Sequence, residues 1–217
     1  MSVTCDAWRM ESSRSLVELW DYRRRVADTY HQVRSIADPR EGWTRWRADR
    51  DELFRSHPQS PYPPGDRVIR PDLPCFDYDP AWRLTAAVRP IEDIDIDLAH
   101  SGPGSTRFVP FGRVDLESPA GPVTLTLLWL DAYGGGVFLP FRDGTSGRTT
   151  YGGGRYLLDT AKGADLGHTP DGKIILDFNF AYHPSCVHDS RWSCPLAPPE
   201  NRVEIPIRAG ERLNPEM

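Results

Sequence analysis

Lysine is nearly missing from this chain: of 26 basic residues, all but Lys162 and Lys173 are arginine. We read that bias as the coding habit of a GC-rich genome, without functional content. An excess of positive charge is also missing. At a net charge of −5 the chain lacks the basic face that phosphate binding requires, which argues against a nucleic-acid partner. No apolar run reaches the length of a bilayer, and the N-terminus has no basic-then-apolar leader. The expectation is a cytoplasmic protein with no membrane partner. Cysteine is scarce too. Four cysteines in 217 residues do not make a disulfide framework in a cytoplasmic chain.

Proline and glycine are plentiful instead, at 21 and 18 residues, which points to many loops and away from a helical bundle. An aromatic share of 11% asks for a substantial core or a lined cavity. The length suits one core. We expect a helical segment with a proline-rich connector over 1–64 and a β domain over 65–217, folding as one unit.

From Ser13 onward Leu16, Leu19, Trp20, Val26, Tyr30 and Val33 recur at helical spacing, and Asp38-Pro39 ends the pattern. A second helix is predicted from Glu41 to Ser56, with Trp43, Trp46, Leu53 and Phe54 on one side. His57 to Pro64 is a connector. Beyond it the texture turns to short alternating runs, with strands predicted at 82–88, 107–116, 123–130, 137–141, 155–158, 174–178 and 203–207. No long helix separates them, so the sheet should be largely antiparallel. The expected class is mainly β, a barrel or sandwich behind two N-terminal helices, α+β overall. The acidic alternation over Ile91–Leu98 reads as a solvated strand or loop edge.

The chemistry-bearing residues crowd between Val137 and Asn201. Arg142 and Asp143 end a strand in a polar turn, where they either orient a ligand or pair with each other. Gly152, Gly153 and Gly154 follow Tyr151 and precede Arg155. Three glycines let a ligand approach the main chain, and an adjacent arginine grips a carboxylate or phosphate. The alternative is a tight corner with Arg155 in a structural ion pair. Asp177 and Asn179 emerge together at a strand end with Tyr182 on the opposite face; they read as an acid–base and oxyanion pair, or as a buried polar network. His183, Cys186, His188, Asp189 and Cys194 lie within twelve residues. Their spacing leaves open a metal chelate, a disulfide, a nucleophilic thiolate beside a histidine, or two inert thiols with two loop histidines. Glu200 is an isolated acid on a stiff proline loop.

The stretches FLPFRDGTSGRTTYGGGRYL, LDFNFAYHPSC, SCPLAPPENRVEIPIRAGE and CFDYDPAWRL resemble a bacterial and archaeal family known as domain of unknown function 1684. The resemblance runs in order from Ser13 to Arg212. Relatives usually carry Asn at the position of His183 and an aromatic at that of His188, so both histidines are this chain's own. The family implies no activity; the positions that match include Tyr151, Arg155, Asp177, Asn179, Tyr182, Cys186, Cys194, Glu200 and Asn201.

These residues suggest an enzyme acting on a small anionic organic molecule by hydrolysis, dehydration or isomerisation. Asp177, Tyr151, Glu200, Cys194 and Cys186 would be catalytic. Arg155, Gly152, Gly153, Gly154, Asn179, Arg142, Tyr182 and His183 would bind substrate. No cofactor or metal is implied. The alternative is a non-catalytic β-barrel that holds a small molecule. A homodimer is the protein partner left open.

Overall fold

In this computed structural model the described residues are 3–67, 72–92 and 94–214, with side chains described from residue 13. Helix α1 spans Val3–Ser35 and α2 spans Pro39–Ser56. The start of α1 lies upstream of Ser13, where the apolar spacing begins, because nothing before Pro39 breaks the helix. Among its described side chains, burial is concentrated in the C-terminal half. Tyr30 and Val33 are buried, whereas Leu16 and Trp20 of the same stripe are 67% and 65% exposed. Helix α2 begins with Asp38 accepting from the Arg40 amide and Pro39 as its first residue, a start that uses an amide-free position where no helical bond is lost. It buries Trp43, Trp46, Leu53 and Phe54, the stripe its spacing predicts.

Among the described residues eight strands follow: β1 (Arg83–Ala86), β2 (Arg89–Pro90), β3 (Ile96–Ala99), β4 (Ser105–Ser118), β5 (Gly121–Leu130), β6 (Val137–Phe141), β7 (Arg155–Asp159) and β8 (Ile174–Asp177). Six form one sheet in the order β2-β4-β5-β6-β7, with β3 also on β4; β1 and β8 form a separate ladder. Every ladder is antiparallel, and the class is α+β. The described strands close no barrel. The acidic stretch ends in β3, an edge strand, as its alternation suggests.

The predicted strand at 203–207 does not form. Pro206 removes an amide from that run, and the segment is instead tied down singly: the Val203 amide to the Arg142 carbonyl, the Gly144 amide to the Ile205 carbonyl, and the Ile207 amide to the Asp143 carboxylate.

The core has two main parts. One joins β4 to β7 with β1 and β8 through Val114, Leu125, Leu139, Phe141, Leu176 and Phe178. The other seats the helices on the same sheet, with Tyr30, Trp43 and Trp46 against Leu128, Phe138, Phe180 and Tyr182. Helices and sheet therefore share buried apolar surface, the main source of folding free energy.

Candidate functional site

Most of the polar residues that crowd the last third are spent on the framework. Arg155 is fully buried. It donates to Asp143 Oδ2 at 3.2 Å, to the Ile207 carbonyl at 2.8 Å, to the Glu211 carbonyl at 3.1 Å, and to the Ala209 carbonyl. Asp143 also accepts from the Ile207 amide and the Thr145 hydroxyl, both at 2.7 Å. The arginine thus stitches an extended C-terminal segment that has no ladder of its own, and it is not available as an anion anchor. Arg142 holds the same segment by its main chain, its amide donating to the Asn201 carbonyl at 2.9 Å. Asn201 itself spans β5 and β6, bonding both main-chain polar groups of Thr126 and the Pro140 carbonyl.

The glycine triad forms a tight turn, in which the Gly154 amide donates to the Tyr151 carbonyl at 3.0 Å. Gly154 has φ +100°, and a Cβ there would lie 2.4 Å from the Phe141 carbonyl oxygen. Its glycine serves chain crossing, not ligand approach. Asp177 is sealed from solvent. It accepts from the Asn179 amide and side chain and from Arg83 at 3.1 Å. Burial raises its pKa. Asn179 continues the network to both main-chain polar groups of Asp79, and its own carbonyl accepts from the Trp43 indole. This pair locks α2 and the Asp79 turn to the sheet. Glu200 is exposed on a 3-10 turn and lines none of the described cavities. The two loop histidines part: His188 packs edge-on to Phe54 and Tyr62 at 5.0 and 5.2 Å. His183 is buried and takes the Tyr151 amide on Nε2 at 3.2 Å. No metal-holding group of three such side chains occurs among the described residues.

Two places remain chemically open. In the first, Cys186 and Cys194 come together with Tyr151. Both are free thiols, partly exposed. The Cys186 pKa is lowered to about 6, first by Cys194 and then by Ser101 and Tyr151, against the effect of burial; Cys194 is raised in turn.

The second is a cavity of about 70 Å³ between the helices and the sheet. Tyr22 and Tyr30 come from α1, Arg50 from α2, Lys162 from the turn after β7, and Tyr182 and His183 from the loop after β8. Arg50 is largely buried and paired with Glu211, Nε to Oε1 at 2.5 Å and Nη2 to Oε2 at 3.3 Å. Its guanidinium stacks over the rings of Phe54 and Tyr182 at 4.7 and 4.8 Å. Burial opposes its charge, and Glu211 outweighs that, so its pKa stands raised. The remaining nitrogen, Nη1, makes no hydrogen bond among the described residues. Burial, with the charges of Arg155 and Arg50, pushes His183 down to about 3, so the ring is neutral. The Tyr30 hydroxyl is buried without a hydrogen-bond partner.

Of the predicted site residues, then, Tyr151, Cys186 and Cys194 share one place, Tyr182 and His183 another. Sequence reasoning missed Arg50, Glu211, Tyr22, Tyr30, Lys162 and Ser101. Arg50 carried a readable signal. It stands one turn after Trp46 and one before Phe54 on the buried stripe of α2, where an arginine needs a reason.

A family model described as protein of unknown function (DUF1684) matches residues 71–212. The chain belongs to this family. The matched stretch holds the sheet, both thiols and Glu211. The chain is also similar to an uncharacterized protein of Haloarcula marismortui solved by solution NMR, with 34% identity over 79% of this chain and 92% of that one, at a TM-score of 0.58. That coverage exceeds the part of the chain from residue 71 onward, so the likeness to the archaeal protein takes in some of the helical segment as well as the DUF1684 stretch. No curated protein matches. No helix among the described residues is long and apolar enough to cross a membrane.

Proposed function

We propose that the protein binds a small organic molecule with an anionic group in the cavity between α1, α2 and the sheet. The observation that carries this reading is the buried Tyr30 hydroxyl, which lines the cavity and makes no hydrogen bond within the fold, although the Trp46 indole is near enough to oppose the rise that burial causes in its pKa. Leaving such a group unpaired costs about 1–3 kcal/mol, and a ligand oxygen would recover it. Arg50 Nη1 and the Lys162 ammonium supply positive donors beside it, and the Tyr22 and Tyr182 rings supply apolar walls. A cavity of this kind, apolar with a few convergent polar groups, is the common form of a small-molecule site. Such a site needs no closed barrel, because the helices cover it. Acid–base catalysis by Asp177 or Glu200 has no place in this reading, since neither lines the cavity.

The test is thermal unfolding with a panel of short-chain carboxylates and phosphate esters. A binder should raise the Tm of the wild-type protein in a concentration-dependent way. Tyr30→Phe should raise ligand-free stability by about 1 kcal/mol and abolish most of the ligand shift, and Lys162→Gln should weaken the shift, at some cost in ligand-free stability because Lys162 also pairs with Asp159 at 2.6 Å. A panel with no effect on the wild type, together with a stabilised Tyr30→Phe, would leave the hydroxyl as a packing defect and refute the proposal.

A further inference from the structure

We propose that a separate cavity, beside the junction of β5 and β6, binds a single aromatic ring carrying a carboxylate, with the ring among the aromatic side chains of the sheet and the carboxylate on Lys162. This cavity has a volume of about 190 Å³. Phe108 of β4, Phe138 of β6 and Tyr156 of β7 line it and are buried, and Leu130 lines it from the end of β5. Phe108 and Phe138 stack with centroids 5.1 Å apart and planes at 21°, and Tyr156 meets Phe138 edge-on at 4.7 Å. Aromatic rings prefer these offset and edge-on contacts, and a ligand ring would extend the same cluster. Packed interiors seldom keep a void larger than a water molecule, and an apolar cavity of about 150 Å³ is enough for benzene. This cavity is larger than that. The one proposed above, at about 70 Å³, is too small for a ring.

The polar groups of the cavity decide what the ring carries. Tyr156 donates its hydroxyl to the Pro195 carbonyl at 2.5 Å, and the Thr106 hydroxyl is engaged with His100 Nε2 at 2.8 Å. Asp159 accepts from the Lys162 ammonium at 2.6 Å. That bond uses one of three ammonium protons, and Lys162 makes no other hydrogen bond among the described residues. The donors left over are cationic, so the group they match is an anion. A ligand ammonium fits less well, because the Asp159 carboxylate is nearly sealed and already paired. The turn that carries Lys162 is held by the backbone around it. Thr160 Oγ1 accepts from the Val137 amide at 2.6 Å, and the Gly163 amide donates to the Thr160 carbonyl at 3.0 Å. Gly136 lets the turn pack closely, since a Cβ there would lie 2.7 Å from the Ala161 nitrogen. Lys162 is therefore presented from a fixed element, as a binding group should be. It is also the one residue that lines both cavities, so the present site stands without the reading given above.

The experiment is isothermal titration of the full chain with phenylacetate and with benzyl alcohol, which keeps the ring and lacks the charge. Intermolecular NOEs locate the bound ring. Phenylacetate should bind once per chain, at least about tenfold tighter than benzyl alcohol, and its ring protons should show NOEs to the Leu130 methyls. Leu130→Trp fills the cavity and should weaken phenylacetate by at least about tenfold. Tyr30→Phe, in the other cavity, should leave phenylacetate binding unchanged. If Leu130→Trp does not fold, the NOEs in the wild-type protein decide. Absence of phenylacetate binding, equal affinity for benzyl alcohol, or ring contacts to Tyr22 or Tyr30 in place of Leu130 would each overturn the proposal. Loss of phenylacetate binding in Tyr30→Phe would do the same, because it would put the ligand in the first cavity. A short-chain carboxylate panel without effect, beside phenylacetate bound as expected, would refute the first cavity alone.

Discussion

Arg155→Ala should cripple folding, not ligand capture. In the folded protein the side chains of Arg155 and Asp143 are both at 0% exposure, and their ion pair is 3.2 Å long. Removing the guanidinium leaves the Asp143 carboxylate buried without a counter-charge, a loss of about 3–5 kcal/mol for a broken buried pair. Three carbonyls of the C-terminal segment lose their donor as well, and the Phe141 ring loses the cation stacked on it at 5.2 Å. These losses overlap, so we expect a total of about 5 kcal/mol against a whole-domain stability of about 5–15 kcal/mol. Urea unfolding followed by tryptophan fluorescence measures it directly. Arg155→Met with Asp143→Asn removes both charges and should recover about 2 kcal/mol relative to Arg155→Met alone. If Arg155→Ala stays within about 1 kcal/mol of wild type, the network is not cooperative and the clip described here is wrong.

Two further outcomes follow from other parts of the molecule. The folded protein holds His183 neutral, with a pKa near 3 against about 6.5 in an unfolded chain. Between these values the unfolded state binds the extra proton, so stability falls as pH drops through that window and is fully restored above it. The loss from this group at pH 5 should be about 2 kcal/mol relative to pH 7, and His183→Asn should remove it; equal pH dependence of the urea midpoints in both proteins would refute the burial argument. In the glycine turn, Gly154→Ala meets both a positive φ and the Phe141 carbonyl oxygen, whereas a Cβ on Gly152 has no atom nearer than 3.7 Å. Gly154→Ala should cost more than about 1 kcal/mol and Gly152→Ala less, as read from thermal midpoints; comparable losses would mean that the turn is shaped by something other than the chain crossing.

The sequence made the regular elements legible because their packing is periodic. The stripe of α2 and the alternation in β4 and β5 appear in the structure much as the spacing implies. The acidic run was read correctly as an edge for the same reason. What the pattern concealed is the character of the C-terminal third. Beyond Phe141 the chain has few ladder hydrogen bonds, yet it passes through the interior, so its main-chain groups must be satisfied by side chains. Asp143, Arg155, Asp177, Asn179 and Asn201 do this. A density of polar residues that suggests a site is here the price of an irregular buried backbone. The partners are distant in sequence, as with Asn201 reaching Thr126 and Pro140, which is why no local motif announces them.

Satisfaction of hydrogen bonds separates the framework from the places where chemistry remains available. The Asp177 carboxylate has three donors within the fold, and the Arg155 guanidinium has four acceptors. A ligand would have to break these contacts before making its own. Cys186 differs from both: its thiol is partly exposed and its pKa is lowered to about 6. Tyr30 lies at the other extreme, with a buried hydroxyl that makes no hydrogen bond within the fold, beside an arginine that keeps one nitrogen unused. Ser101 and Arg50, which organise these two places, come from outside the crowded stretch. They were invisible to a reading centred on it, because each acts on residues more than eighty positions away. The functional question for this fold is therefore concentrated where the crowded segment meets β3, β4 and α2, and the two binding experiments above address the α2 and β4 junctions separately.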